Sequence, residues 1–157
     1  MICDEHTKAL LSRAQRYCSQ QEQCGDAVRQ KLTAWGATGD EIDDILAALY
    51  DDRYLDDCRY ARAYCESKML RQHWGRQKVL YQLRLKRLPR EAIEAGMEAV
   101  DEEAYLQALQ EFVERKVDGE EWKTEHGAQK LTASLLSRGY SYADIKQVIT
   151  NMSEKFQ

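Results

Sequence analysis

Acidic, basic and aromatic side chains crowd together in the stretch DDRYLDDCRYARAY, residues 51–64. Asp51, Asp52, Asp56 and Asp57 fall within seven positions, and three arginines and three tyrosines are interleaved with them. Grouped carboxylates can bind a divalent metal ion or act in acid–base catalysis. Either chemistry requires further acids, histidines or a partner base nearby, and this stretch supplies none. We therefore expect no catalytic residue, metal or cofactor here, and a chain that is not an enzyme.

The same stretch is typical of the start of a helix. Asp56 and Asp57 stand just before an apolar pattern of helical period, where an aspartate accepts hydrogen bonds from the free N–H groups of the first turn and meets the positive end of the helix dipole. Arg59 and Arg62 follow at spacings that allow them to pair with these acids. We expect these helix-cap and signature residues to have a structural role, with the tyrosines on the buried face of the helix. The residues are Asp56, Asp57, Arg59, Tyr60 and Tyr64. The pattern offers no firm reason for both Asp51 and Asp52.

The composition favours a helical protein in the cytoplasm. Among 157 residues there are one proline and eight glycines, with 32% charged and 43% hydrophobic residues. No apolar run approaches the ~20 residues of a membrane span, and the N-terminus lacks the apolar core of a signal peptide. The five cysteines include no C-x-x-C pair, and the three histidines are scattered, so we expect reduced thiols that pack as small apolar groups and no zinc site.

Three segments of the chain share one spacing of apolar residues and glycine. The intervals are 4, 4, 6, 4 and 3 residues, and the copies are offset by 51 and then 52 residues. The matching positions are Val28, Leu32, Gly36, Ile42, Leu46 and Leu49; Val79, Leu83, Arg87, Ile93, Met97 and Val100; and Leu131, Leu135, Gly139, Ile145, Ile149 and Met152. Only Arg87 breaks the pattern, so each segment predicts two helices with a tight joint between them.

The joints carry their own signals. Gly36 and Gly139 stand where the end of a helix needs a left-handed residue. Thr38, with a glutamate three residues later, predicts a capping box, and Ser141 occupies the equivalent position. Pro89 falls in the same slot of the middle segment, where the first turn of a helix tolerates it.

A third amphipathic helix precedes each pair, which completes a three-helix unit. We therefore predict an all-α fold of three tandem three-helix repeats in an elongated, slightly curved arrangement. The predicted repeats span residues 1–52, 53–100 and 101–157. The chain is expected to be a monomer.

The middle repeat contains a strongly basic segment. Residues 68–90 hold eight basic and no acidic side chains, whereas residues 91–157 hold seven basic and fourteen acidic ones. On a helix over 76–87 we expect Val79, Leu80 and Leu83 to pack inward and the cations to face solvent. The segment could be a solvated face that neutralises neighbouring acids, or it could contact DNA phosphates or an acidic protein surface. The candidate contact residues are Lys68, Arg71, Trp74, Arg76, Lys78, Arg84, Lys86, Arg87 and Arg90.

Tryptophans have two interpretations. Trp74 lies beside Gly75 at a predicted joint, where it could stack on a base or a partner's aromatic ring, or belong to the core. Trp35 and Trp122 are interpreted as core or interface residues.

The run Tyr54-Leu55-Asp56-Asp57-x-Arg59-Tyr60-Ala61-x-x-Tyr64, followed by Ser67-Lys68, resembles the signature of the RecX family. Gly75-Arg76-x-Lys78-Val79-x-x-x-Leu83-x-x-Lys86 continues the resemblance, as do Arg138-Gly139-Tyr140 with Ile145 and Lys31-Leu32 with Gly36. The chain departs from the family's usual residues at Gln82, at Lys86-Arg87 and over 24–28. The resemblance covers almost the whole chain and agrees with the three-repeat prediction.

The resemblance implies a non-catalytic regulator of the RecA recombinase. Such a protein would lie along the groove of the RecA–DNA filament and inhibit filament growth, ATP hydrolysis and strand exchange in DNA repair and the SOS response. The alternative is a stand-alone helical protein that binds single- or double-stranded DNA through the basic segment. The sequence pI of about 5.5 argues against strong binding of free DNA, because charges outside the segment repel phosphate.

Overall fold

The computed structural model describes residues 2–155, and every regular element within them is helical. The helices are α1 (Glu5–Gln20), α2 (Gly25–Ala34), α3 (Gly39–Asp51), α4 (Asp57–Glu66), α5 (Arg76–Leu85), α6 (Arg90–Glu98), α7 (Glu102–Lys116), α8 (Glu125–Ser137) and α9 (Tyr142–Lys155). A π-helical segment, Ser67–Arg71, extends α4, and a 3-10 turn, Glu121–Lys123, precedes α8. The predicted all-α fold is confirmed.

The second joint residue of each repeat stands immediately before a helix. Thr38 precedes α3, Pro89 precedes α6 and Ser141 precedes α9. The Thr38 side chain accepts from the Glu41 N–H at 3.3 Å while the Glu41 carboxylate accepts from the Thr38 N–H at 2.9 Å, which confirms the capping box. The Ser141 hydroxyl accepts from the Asp144 N–H at 3.1 Å. The capping prediction is therefore confirmed at both hydroxyl residues.

The first joint residue of each repeat adopts a left-handed backbone. Its φ is 89° at Gly36, 58° at Arg87 and 99° at Gly139. Arg87, where the sequence pattern breaks, therefore has the conformation that its two counterparts reach with glycine. The middle joint departs from the others in residue type and not in backbone geometry, and its arginine bears the steric cost of the left-handed region.

The described residues form two compact units. The first unit comprises residues 2–63 and 83–96, and the second comprises residues 64–82 and 97–155. In the first unit α1, α2 and α3 pack on one another around a core of Leu10, Ala14, Cys18, Val28, Leu32, Ile42, Ile45, Leu46, Leu49 and Leu55.

In the second unit α7 packs on the π-helical segment and on α9, and α8 packs on α9 and the 3-10 turn. Its buried side chains include Met69, Val79, Tyr105, Leu109, Val113, Trp122, Leu131, Leu135, Tyr140, Ile145, Val148 and Met152. Three helices, α4, α5 and α6, each contribute residues to both units. The repeat boundaries at 52/53 and 100/101 stay a prediction.

The cysteines mostly serve as packing groups. Cys18, Cys24 and Cys65 are buried, Cys58 is half-buried and Cys3 is exposed, and all five are free thiols. Burial raises the pKa of Cys18 to about 11 and that of Cys65 to about 12, which keeps both as uncharged thiols at neutral pH. Within residues 2–155, no helix combines the length and apolarity that crossing a membrane requires.

Replacing Arg87 by glycine is expected to stabilise the protein by about 1 kcal/mol, because glycine adopts the left-handed backbone without a steric penalty. The matched control is Arg84→Gly, three residues earlier inside α5, which should destabilise by about 1 kcal/mol. Urea denaturation followed by circular dichroism measures both. Equal losses of stability at the two sites would show that the left-handed backbone of Arg87 carries no strain.

Candidate partner-contact surface

The acidic stretch of the opening motif builds the start of α4. The Asp56 carboxylate accepts from the Arg59 N–H at 2.9 Å, which confirms Asp56 as the N-cap. Asp57 has a different use, because its carboxylate accepts from the Tyr50 hydroxyl at 2.9 Å and so joins the start of α4 to the end of α3. Tyr60 and Tyr64 are half-buried.

The expected pairing of Arg59 with Asp56 or Asp57 is wrong. Its guanidinium binds the Glu22 carboxylate at 2.6 Å and donates to the carbonyl oxygens of Arg53 and Tyr54. Arg59 therefore ties the end of α1 to the chain after α3, which a pattern of near neighbours could not reveal. Arg62 is exposed and forms no ion pair within the described residues.

One other acidic group brings possible metal ligands together. Among the described residues, Asp4, His6 and Glu41 are the only such group with ligand atoms within 4.8 Å of one another. Helix capping accounts for both carboxylates, because Asp4 accepts from the Thr7 N–H at the start of α1 and Glu41 completes the capping box of α3. Hydrogen bonds from Thr38, His6 and Thr7 lower the pKa of Glu41 to about 2.

The basic candidates belong to both compact units. Lys68, Arg71, Trp74, Arg76 and Lys78 belong to the second unit, and Arg84, Lys86, Arg87 and Arg90 belong to the first. Within the first unit Arg84 and Arg87 are exposed, and Arg90 pairs with Glu94 at 2.8 Å on the same helix. The structure thus brings five of the nine into one unit, where they can be described together.

A contact between two glycines positions the five candidates of the second unit. A Cβ atom on Gly75 would lie 2.0 Å from the carbonyl carbon of Gly139, so only glycine fits there. This close approach lets the Gly75 N–H donate to the Arg138 carbonyl at 2.8 Å and the Gln77 N–H donate to the Gly139 carbonyl at 3.2 Å. The start of α5 is therefore hydrogen-bonded to the joint between α8 and α9.

Arg138, in the turn between α8 and α9, binds the segment that precedes α5. Its guanidinium donates to the carbonyls of Gln72 and His73 at 2.8 and 2.9 Å. Within residues 2–155, His73 is one of three residues other than glycine with a left-handed backbone, at φ 58°. The segment between the π-helical turn and α5 is consequently held through hydrogen bonds to its backbone carbonyls. Its side chains are not needed for this contact.

Arg76 has a structural role. Its guanidinium pairs with Glu102 at 2.5 Å and with Asp144 at 3.8 Å, and lies 3.9 Å from the centre of the Tyr105 ring. The backbone N–H of Arg76 donates to the Tyr105 hydroxyl at 3.0 Å. Arg76 is half-buried, and its two acidic neighbours neutralise a cation that the sequence reasoning grouped with the solvent-facing ones.

Lys68 and Lys78 flank the Trp74 ring. Their ammonium nitrogens lie 4.5 and 4.2 Å from the ring centre, at distances that allow cation–π attraction. Neither lysine forms an ion pair with a carboxylate among the described residues, and all three side chains are half-buried. The Trp74 cluster, defined here as Lys68, Trp74 and Lys78, therefore presents two positive charges on an ordered aromatic platform.

Three cations from residues 101–155 lie beside this segment, and the sequence reasoning missed them. Arg115 donates to the His73 ring nitrogen Nε2 at 2.9 Å, and Arg138 holds the backbone of the joint. Arg71, Arg115 and Lys116 line one shallow depression with His73. Residues 91–157 are acidic on average, so the sequence reasoning did not single out the cations among them. The pair Arg115-Lys116 in the last turn of α7 was the available signal.

Burial governs the titration of the groups near this joint. Burial, followed by the charges of Arg115 and Arg138, lowers the pKa of His73, so the ring is neutral at pH 7. Burial also raises the pKa of Tyr105 to about 12, which keeps its hydroxyl protonated as it accepts from Arg76. The cationic surface around His73 therefore owes its charge to arginine and lysine.

Similarity to known proteins covers this joint and most of the chain. A family model described as the second three-helix domain of RecX matches residues 56–97, from the Asp56 cap through the basic segment. A regulatory protein RecX of Prosthecochloris aestuarii is 28% identical over 153 residues, which cover 96% of this chain and 98% of the relative. The chain belongs to the RecX family. A RecX of Clostridium tetani is 30% identical over 129 residues, but the match spans only 58% of that longer relative and 80% of this chain.

Solved RecX structures share the fold. The crystal structure of RecX from Lactobacillus salivarius superimposes with a TM-score of 0.80 at 21% identity, and the match covers 94% of this chain and 96% of that one. At this level of identity the similarity establishes the RecX fold of helical repeats.

The Gly75 contact predicts a large effect of one methyl group. Gly75→Ala should destabilise the protein by about 2–3 kcal/mol, because the backbone of Gly139 must move away from the new Cβ. Gly39→Ala is the control, since nothing lies within 4 Å of a Cβ at this position in the first turn of α3. Thermal unfolding measures both, and a Gly75→Ala protein as stable as Gly39→Ala would contradict the close approach.

Arg76→Gln is expected to destabilise the protein by about 1–2 kcal/mol, because it removes a half-buried cation from two carboxylates and an aromatic ring. Arg84→Gln, which removes an exposed and unpaired arginine, should change stability by less than about 0.5 kcal/mol. Equal unfolding midpoints in urea for the two variants would show that the pairs of Arg76 contribute nothing.

Proposed function

We propose that this chain is a non-catalytic regulator that binds the RecA recombinase and the RecA–DNA filament. It inhibits filament growth, ATP hydrolysis and strand exchange in DNA repair and the SOS response, acting in the cytoplasm as a monomer. Membership of the RecX family supports this proposal, because the relatives in that family are named regulatory proteins.

The Trp74 cluster is the observation that carries the proposal. Its two lysines lack carboxylate partners among the described residues, whereas nearby Arg76 has two. An ordered, uncompensated pair of charges beside a half-buried indole resembles the centre of an interface, where aromatic and cationic side chains contribute most of the binding energy. An acidic surface of the recombinase is the partner that this chemistry fits.

Inhibition follows from binding without any chemical step. A filament presents the same surface on each successive subunit, and helical repeats offer a series of similar helix faces to such an array. A chain that contacts neighbouring subunits opposes the rearrangement that accompanies ATP hydrolysis and the addition of further subunits. The energy required is the difference in its affinity for the two filament states.

The alternative function is stand-alone binding of nucleic acid through the basic segment. The cations of the second unit favour it, and the net charge of −4 opposes it because the remaining surface repels phosphate. Strong binding to bare DNA that weakens steeply with salt would be its signature.

An ATP hydrolysis assay separates the two functions. Adding the purified chain to RecA, ATP and single-stranded DNA should suppress hydrolysis at or below one copy per recombinase subunit. A binding measurement with the RecA–DNA filament, RecA alone and DNA alone should rank the filament first. Unchanged hydrolysis together with tight, salt-sensitive binding to bare DNA would refute the recombinase proposal and support the alternative.

The double variant Lys68→Gln/Lys78→Gln tests the Trp74 cluster. It should raise the concentration needed for half-maximal inhibition roughly tenfold, since two complementary charges are lost from the interface. The control, Lys130→Gln/Lys146→Gln, removes two exposed lysines of the same unit and should leave inhibition unchanged. Equal inhibition by both double variants, with equal melting temperatures, would exclude the cluster as the contact.

A further inference from the structure

A shallow, open cavity on the second unit has an entirely cationic and aromatic lining. It encloses about 360 Å³ and is lined by Arg71, His73, Phe112, Arg115 and Lys116. We call it the His73 pocket. Its cations come from the end of the π-helical segment and from the last turn of α7, so they approach one space from two directions.

The cations of the pocket are not neutralised by the protein. Among residues 2–155, Arg71, Arg115 and Lys116 form no ion pair with a carboxylate, and all three are exposed. Lys116 donates to the Ser134 hydroxyl at 2.6 Å, and Arg115 donates through Nε to the carbonyl of Glu111 at 3.3 Å. Both side chains are oriented by neutral acceptors and keep their full charge.

The His73 ring contacts Phe112 and one of these cations, Arg115. Its ring stacks on Phe112 with centres 4.8 Å apart and planes 16° apart. Its Nε2 lies 2.9 Å from the Arg115 guanidinium, which can only donate, so Nε2 must accept and the ring proton is on Nδ1. The Nδ1 atom is buried and has no hydrogen-bond partner within the described residues. The neutral ring thus accepts from Arg115 without supplying any negative charge.

The charges that face His73 come from two helices. Arg115 and Glu111 belong to α7, and Arg138 follows α8. The arginines disfavour the imidazolium, and Glu111 partly offsets them. An anion in the pocket would reverse this balance, because it would meet Arg115 and turn Nε2 from an acceptor into a donor.

We propose that the His73 pocket binds a phosphate group of the DNA backbone and that His73 takes up one proton from solvent when it does so. The bound phosphate oxygens accept from Arg115, Arg71, Lys116 and the new Nε2–H. Donors that converge from separate helices suit the several oxygens of a tetrahedral phosphate, whereas a planar carboxylate is satisfied by one arginine fork. The choice of DNA as the source rests on the proposed function, while the phosphate site itself does not.

Proton linkage gives the site a measurable signature. In the free protein the pKa of His73 is lowered, and a bound phosphate raises it. Binding should therefore strengthen as pH falls from the pKa of the bound state towards that of the free state. One coupled proton changes affinity by at most about tenfold per pH unit within that window.

Nuclear magnetic resonance can observe this proton directly, because the chain contains only His6, His73 and His126. The imidazole signals are titrated with pH in chloride, in inorganic phosphate of equal ionic strength, and with a short single-stranded oligodeoxynucleotide. His73→Asn assigns the signal and suits the left-handed backbone, which asparagine tolerates. We expect phosphate and oligonucleotide to raise the pKa of His73 by about one unit or more.

Two results of this titration would overturn the proposal. An unchanged pKa of His73 in both phosphate and oligonucleotide would exclude the site. A rise caused by a short acidic peptide at lower concentration than by oligonucleotide would replace DNA with a protein carboxylate as the ligand.

Variants test the same site by affinity. Arg115→Gln should weaken oligonucleotide binding about tenfold, as expected for a lost charge-assisted contact, and His73→Asn should abolish the dependence of binding on pH. Arg16→Gln, which removes an exposed arginine of α1 in the first unit, is the control and should change neither quantity. A pH dependence that survives in His73→Asn would contradict the assignment.

These measurements contain no recombinase, so they can fail independently of the proposed function. A raised His73 pKa with unaffected RecA hydrolysis would support the phosphate site and remove the proposed regulator. Strong inhibition of RecA by a chain whose His73 never responds to phosphate would do the opposite.

Discussion

The contact between Gly75 and Gly139 is the constraint on which the second unit depends. Because neither residue has a side chain, two backbones approach closely enough for the start of α5 to donate hydrogen bonds to the joint before α9. Arg138 returns hydrogen bonds to the segment before Gly75. The segment before α5 and the turn between α8 and α9 are thus held together mainly through backbone groups. Most side chains around this contact are therefore not required for it and can take part in binding.

The basic segment contains two kinds of cation. Arg76 is neutralised by Glu102 and Asp144 and stabilises the fold, whereas Lys68 and Lys78 surround an indole without carboxylate partners among the described residues. A count of basic residues treats these side chains alike. Only the position of each relative to its acidic neighbours distinguishes a cation that supports the fold from one available to a partner.

Local physics explains what could be predicted from the sequence. The helix pairs, the caps at Thr38 and Asp56 and the left-handed residues Gly36 and Gly139 depend on residues within a few positions, so their spacing was sufficient. The partners of Arg59 and Arg76 lie 37 and at least 26 residues away, beyond the reach of such patterns. The His73 pocket was missed because its cations come from two repeats, one of them acidic on average.

The π-helical turn Ser67–Arg71 has a consequence for how α4 and the basic segment are related. Its hydrogen bond from the Gln72 N–H to the Ser67 carbonyl spans one residue more than an α-helical bond. One additional residue shifts the helical register of the next residues by about 100°. The turn therefore acts as an insertion absorbed without breaking the helix. The side chains after the turn, His73 and Trp74 among them, therefore do not continue the faces of the α-helical turn that precedes Ser67.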